Sequence, residues 1–157
     1  MASMTPIEIL RDEHRTILSV LELLERAVER PPIDTWWTDT LAWLRAFADH
    51  SHHAKEETAL FPAMVKAGVP SEGGPIAVML EEHEEGRRLI RTMEATTGAT
   101  REMACRAYVS LLRAHIDKEN EIVFPLAEAV LDERTMHELG RAFDTVALEH
   151  GVPPRPS

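Results

Sequence analysis

Eight histidines stand in a chain with a single cysteine and a single tyrosine, and four of them fall into an ordered pattern. Glu56 follows His52 by four residues, and Glu119 follows His115 by the same spacing. His14 and His83 each come directly after a glutamate. Imidazole nitrogen and carboxylate oxygen are the donors preferred by iron, manganese and zinc. On an α-helix the H-x-x-x-E spacing puts both groups about 40° apart on one face, within reach of one ion or of a position between two ions. Two other metal patterns are not written here. No glutamate lies three residues before any histidine, as the E-x-x-H motif of ferritin-like bundles needs, and H-E-x-x-H is missing.

These residues need helices to position them, and the sequence supplies helices. Thr5, Pro6 and Glu8 make a capping box with proline at the first helical position. Ile7, Leu10, Ile17, Leu21, Leu24 and Val28 then recur at helical spacing up to Pro31-Pro32. A second helix is expected from Asp34, as its cap, through Trp37, Leu41, Leu44 and Ala48 to about Lys66, stopping at Gly68. A third starts at Pro75, carries Ile76, Leu80, Ile90 and Met93, and ends near Gly98. A fourth runs from about Thr100 to Leu131 with Ala104, Leu111, Ile122, Leu126 and Ala129 on one face. A shorter fifth spans 132–149, and the tail, 150–157, is expected to fray. No stretch alternates like a strand. The expectation is an all-α antiparallel up-down four-helix bundle with a short C-terminal fifth helix, forming a single domain over 1–157 with its core at 5–131. Pro62 and Pro125 should each kink or break their helix.

The two halves of the chain also repeat. His52 to Pro62 aligns without gaps on His115 to Pro125 through the skeleton H-x-x-K-E-x-x-x-x-F-P, and Asp12-Glu13-His14 echoes Glu81-Glu82-His83. Unrolled at about 100° per residue, each of four helices aims one histidine inward, and two helices add a glutamate one turn on. Buried carboxylates without partners cost several kcal/mol. A pair of divalent cations removes that cost. The bland alternative is a metal-free bundle whose interior histidines and glutamates satisfy one another. Any one such histidine alone would favour the bland reading; four of them, with the glutamate pair repeated, favour metal. His50 turns away from the inward stripe, while His137 and His150 lie on the last segment. His53 lies about 100° from His52 and is expected at the surface, with a place beside the ligands as the lesser alternative. Arg87 shares the core stripe of His83, next to Gly86, which leaves it room. It would pair with a bridging carboxylate or, as the favoured role, with a glutamate of a neighbouring helix. Tyr108 lies two turns before His115 and could touch the metals or simply pack in the core. Cys105 reads as a small buried hydrophobe.

Composition narrows the setting. In 157 residues, 27 acidic side chains against 17 basic ones give a net charge of -10, which argues against nucleic acid and anionic membrane as partners. One cysteine excludes a disulfide scaffold. No apolar run approaches the roughly 20 residues of a membrane span, and the N-terminus lacks the layout of a signal peptide. A cytoplasmic protein, monomer or homodimer, is expected.

The ordered set, His14, then His52-x-x-x-Glu56 with Phe61-Pro62, then His83, then His115-x-x-x-Glu119 with Phe124-Pro125, resembles the hemerythrin-like, or HHE cation-binding, domain over about residues 5–131. The resemblance implies two iron ions with an oxo or hydroxo bridge, held by His14, His52, Glu56, His83, His115 and Glu119, the glutamates bridging. Donor chemistry alone would also admit zinc or manganese in vitro. The resemblance further implies dioxygen, peroxide or nitric oxide as the small-molecule partner, with iron or oxygen sensing, iron storage or iron donation as the alternative. Oxygen carriers of the family have a further histidine where this chain has Arg87, and an aspartate where it has Asn120. These departures point away from plain oxygen transport. Repair proteins of the family carry an additional cysteine-containing N-terminal segment not found in this sequence.

Overall fold

The computed structural model describes residues 4–149 and 151–157. Among them every regular element is helical. Helix α1 is Pro6–Glu29. Helix α2 covers 34–66, α3 is Pro75–Ala95, α4 covers 98–130 and α5 is Glu133–Glu149.

Local chemistry explains the ends. Thr5 Oγ1 accepts from Glu8 N–H and Glu8 accepts from Thr5 N–H, each at 3.2 Å, so the capping box forms as expected. Asp34 is not the cap of α2; Ile33 precedes the helix and Asp34 is its first residue, where a negative charge suits the helix dipole. Helix α3 ends at Ala95, before the expected Gly98, which instead opens α4. Asp132 Oδ1 accepts from Thr135 N–H at 2.8 Å and starts α5. The final residues run back over the helices: Trp36 Nε1 donates to Ser157 O, and Arg155 donates to Ser19 Oγ.

The prolines break nothing. Helices α2 and α4 widen into π-helical turns over Leu44–His53, Glu56–Leu60 and Glu119–Val123, and each proline enters just after one of them. A π turn shifts the hydrogen-bond register by one residue. The N–H that proline lacks falls at the return to α geometry, where Phe61-Pro62 and Phe124-Pro125 start the next α segment.

Helices α1 to α4 pack in a ring, each against its two neighbours, and α5 lies against α1 and the C-terminal part of α2. Two apolar clusters fill the interior. One gathers Ile17, Leu21, Leu24, Trp37, Trp43, Leu44, Met93, Leu112 and Ile116. The other gathers Ile7, Leu10, Leu60, Met64, Ile76, Met79, Phe124 and Phe143. The buried face of α4 differs from the expected one. Ile122 is 54% exposed, Leu111 is half-buried and Ala129 is exposed, while Cys105, Tyr108, Val109, Leu112, Ile116 and Val123 point inward. Up to Lys118 the inward stripe follows a regular α period one residue over from the expected one, and from Glu119 the π turn shifts the face further.

A candidate dinuclear metal centre

The polar residues form a layer between the two clusters. His14 falls between Leu10 and Ile17, His52 between Ala48 and Leu60, His83 between Met79 and Leu89, and His115 between Leu112 and Val123, each pair bracketing the layer with one residue from each cluster. All four histidines are buried, and Glu56 and Glu119 are wholly so. The six residues read from the sequence are therefore brought together.

Their arrangement keeps the two-fold character of the sequence repeat. The rings of His14 and His52 are 4.7 Å apart at 55°, and those of His83 and His115 are 4.9 Å apart at 54°. Each carboxylate reaches both pairs. Glu56 places one oxygen 3.1 Å from His83 Nε2 and the other 3.4 Å from His52 Nε2. Glu119 Oε1 lies 3.1 Å from His14 Nε2 and 3.2 Å from His115 Nε2.

His53 does not go to the surface. It is 5% exposed and stacks on His83 with ring centres 3.8 Å apart. His53 closes the wide turn over Leu44–His53 and is buried beside His52, as Ile116 is buried beside His115 in the other half of the repeat. Two donor groups result, with ligand atoms inside each within 4.8 Å of one another: His53, Glu56, His83 and His115 in one, His14, His52, Glu56 and Glu119 in the other. Glu56 belongs to both.

A set of residues that sequence reasoning missed holds the imidazoles from behind. His52 Nδ1 pairs with Glu13 at 3.0 Å, and His115 Nδ1 with Glu82 at 2.9 Å. Lys55 and Lys118 grip those same two glutamates. His83 Nδ1 pairs with Glu57 at 2.6 Å, and His14 Nδ1 with Asn120 Oδ1 at 2.8 Å. The signal was in the repeat: the lysine of H-x-x-K-E and the glutamate before His14 and His83 are partners. Fixing one ring nitrogen turns the other toward the interior and raises its strength as a donor. Arg87 plays the role favoured for it. Its Nε donates to Asp49 Oδ1 at 2.8 Å and its Nη2 to Glu57 at 2.6 Å, both on α2, with Glu84 also in reach. Tyr108 is buried; with Ala48, Asp49, His53, Gly86 and Arg87 it lines a cavity beside His53 and His83. His50 and His137 are exposed, and His150 lies outside the described residues.

Electrostatics make the layer costly as it stands. Burial and the neighbouring Glu119 push the Glu56 carboxyl well above the usual range. Burial works to raise Glu119 as well, but His115 and His14 hold it well below. Burial and His115 drive His83 down to about 3, and burial and His83 depress His53 strongly. Burial also opposes a charge on His52, yet Glu56 and Glu13 raise it to about 10. Both oxygens of Glu56, Oε2 of Glu119, Nε2 of His52, His83 and His115, and Nδ1 of His53 are buried without an aligned hydrogen bond, although the Glu56 oxygens lie beside His83 and His52 and His53 Nδ1 lies 3.5 Å from Asp49. Buried polar atoms are almost always satisfied. A converging set of buried imidazole nitrogens and carboxylate oxygens without aligned hydrogen bonds fits divalent cations of the iron, manganese or zinc type.

The fold and this donor set are those of a cation-binding helical domain. The chain belongs to the hemerythrin HHE cation binding domain family, whose model matches residues 5–127. Curated relatives carry the name iron-sulfur cluster repair protein YtfE. Those of Escherichia coli O81, Escherichia coli O1:K1 and Escherichia fergusonii are each 35% identical over 136 residues, covering 75% of this chain and 61% of theirs. The chain thus spans about three fifths of the length of the relatives it matches. No solved structure matches it. No helix among the described residues is long and apolar enough to cross a membrane.

Proposed function

We propose that this protein is a non-haem di-iron protein of an antiparallel up-down helical bundle, and that it binds or reacts with dioxygen, peroxide or nitric oxide. The observation that carries this reading is the converging set of buried donors without aligned hydrogen bonds, in which Glu56 and Glu119 each touch an imidazole of both halves. His14, His52, His83, His115, Glu56 and Glu119 would hold the ions, with the glutamates between them. The iron pair supplies redox chemistry toward small oxidants. The protein residues keep the imidazoles oriented through Glu13, Glu57, Glu82 and Asn120. They also exclude bulk water through the apolar clusters on either side. The cavity between Arg87 and His53 suits a reactant of a few atoms.

The relatives' name favours a second reading, iron donation to damaged iron–sulfur centres. The two separate by kinetics. Fast reaction of the reduced protein with peroxide or nitric oxide supports the first, and rapid loss of iron to a weak chelator without such reaction supports the second.

The test of the centre itself is elemental analysis with absorption spectra before and after reduction and return to air. Two irons per chain with bands that bleach and return are expected. Glu56→Ala and Glu119→Ala should each lower bound iron to one or none. Full iron in both variants would sink the ligand assignment.

A further inference from the structure

Pro125 leaves one backbone acceptor of α4 without its helical partner. In the wide turn over Glu119–Val123, Phe124 N–H donates five residues back to Glu119 O. The next carbonyl, that of Asn120, would take the N–H of residue 125 in the same pattern, and a proline has none. Arg11 of α1 supplies a donor from outside the helix: its Nη1 donates to Asn120 O at 3.1 Å. The same guanidinium lies over the Phe124 ring, 5.5 Å from its centre, and Phe124 stacks on His14 at 5.2 Å and 16°. Arg11 stands outside the sequence repeat, since the aligned position, before Glu81-Glu82-His83, is Leu80. In the other half Arg87 grips Glu57, the residue aligned with Asn120, by its carboxylate.

We infer that Arg11 is a positioning residue of the centre: it locks the wide turn of α4 by satisfying the Asn120 carbonyl, and through that turn it fixes the imidazole of His14. Its effect on metal rests on the two-metal reading above. Asn120 joins the two ends of this chain of contacts. Its backbone oxygen accepts from Arg11, and its side-chain Oδ1 accepts from His14 Nδ1 at 2.8 Å. An amide oxygen has no proton to give, so His14 carries a proton on Nδ1 while its Nε2 faces Glu119 Oε1 at 3.1 Å. A carbonyl left without a donor is costly, and the backbone shifts to find one. One step of register in this turn would re-aim Glu119 and Asn120 together. A guanidinium makes a charge-assisted bond to the carbonyl, stronger than the neutral amide bond that Pro125 forgoes. Charge alone predicts the opposite sign: removing a nearby cation strengthens metal binding, whereas losing the positioning weakens it.

The experiment compares the full chain with Arg11→Leu, which copies the other half of the repeat. In the metal-free, nitrogen-15-labelled protein, the Nδ1–H resonance of His14, protected from exchange by Asn120, should be lost in Arg11→Leu. The ring resonances of His83 and His115 and the helix content by circular dichroism should stay. Titration with cobalt(II) should show affinity lowered about tenfold, the lower end of what supporting partners contribute. Arg11→Lys keeps the charge and a donor and should recover most of both. Pro125→Ala restores an N–H to Asn120 O, so combining it with Arg11→Leu should shrink both losses. If Arg11→Leu alone does not fold, this double variant should fold and keep the His14 resonance. An unchanged resonance and affinity in Arg11→Leu, a rise in affinity, or losses that persist with Pro125→Ala would overturn the inference. An unaltered protein that binds no cobalt would overturn the two-metal reading instead, and the His14 resonance would still decide the role of Arg11.

Discussion

Glu13 and Lys55 show how far the chemistry of one histidine extends. His52 is held by Glu13, and Glu13 by Lys55, whose side chain is itself almost wholly buried. Outer partners of this type contribute about 10–100-fold to metal affinity. Glu13→Gln keeps the shape but weakens the acceptor, so metal affinity should fall within that range with no change in helix content. Metal titration of the folded variant checks this, and unchanged affinity would assign Glu13 a packing role only. Cys105 is the opposite case. Burial raises its thiol to about 11, so it has little thiolate to offer and acts as the small hydrophobe its position implied.

At the scale of elements, the π turns decide which residues meet. They carry the chain past Pro62 and Pro125 without a break. Ordinary helix chemistry governs the remainder. Thr5→Ala removes the N-cap of α1 and should cost about 1 kcal/mol, read as a lower thermal midpoint. Gly86 gives the opposite prediction. A Cβ there would meet Leu112 Cδ2 and Tyr108 Cε1 at 3.7 Å, an ordinary contact. Gly86→Ala should stabilise α3 by up to about 1 kcal/mol. A lower midpoint would show that the cavity beside Tyr108 needs the glycine.

For the whole molecule, metal and fold are coupled. Two carboxylates and five imidazoles share one buried layer between two apolar clusters. Metal that binds only the folded state stabilises it by mass action, about 2.7 kcal/mol at a hundredfold excess over the dissociation constant. The metal-free protein should therefore melt several degrees below the loaded one. Equal midpoints would mean that the layer satisfies itself without ions.

Much of this was legible in the sequence. Helical spacing of Ile7, Leu10, Ile17 and Leu21, the capping box at Thr5, and the repeated H-x-x-x-E pairs are local patterns, and local patterns are governed by a few residues of one helix. They sufficed for an all-helical chain and for six residues that converge. The place of His53, the buried face of α4 and the partners of the imidazoles were not legible in the same way. A π turn is chosen by packing between helices, since its hydrogen bonds are no better than those it replaces, and one such turn redirects every side chain after it. The pairing of Glu13 with His52, or Glu57 with His83, joins residues on different helices. Which donors gather was therefore decided only when the helices packed.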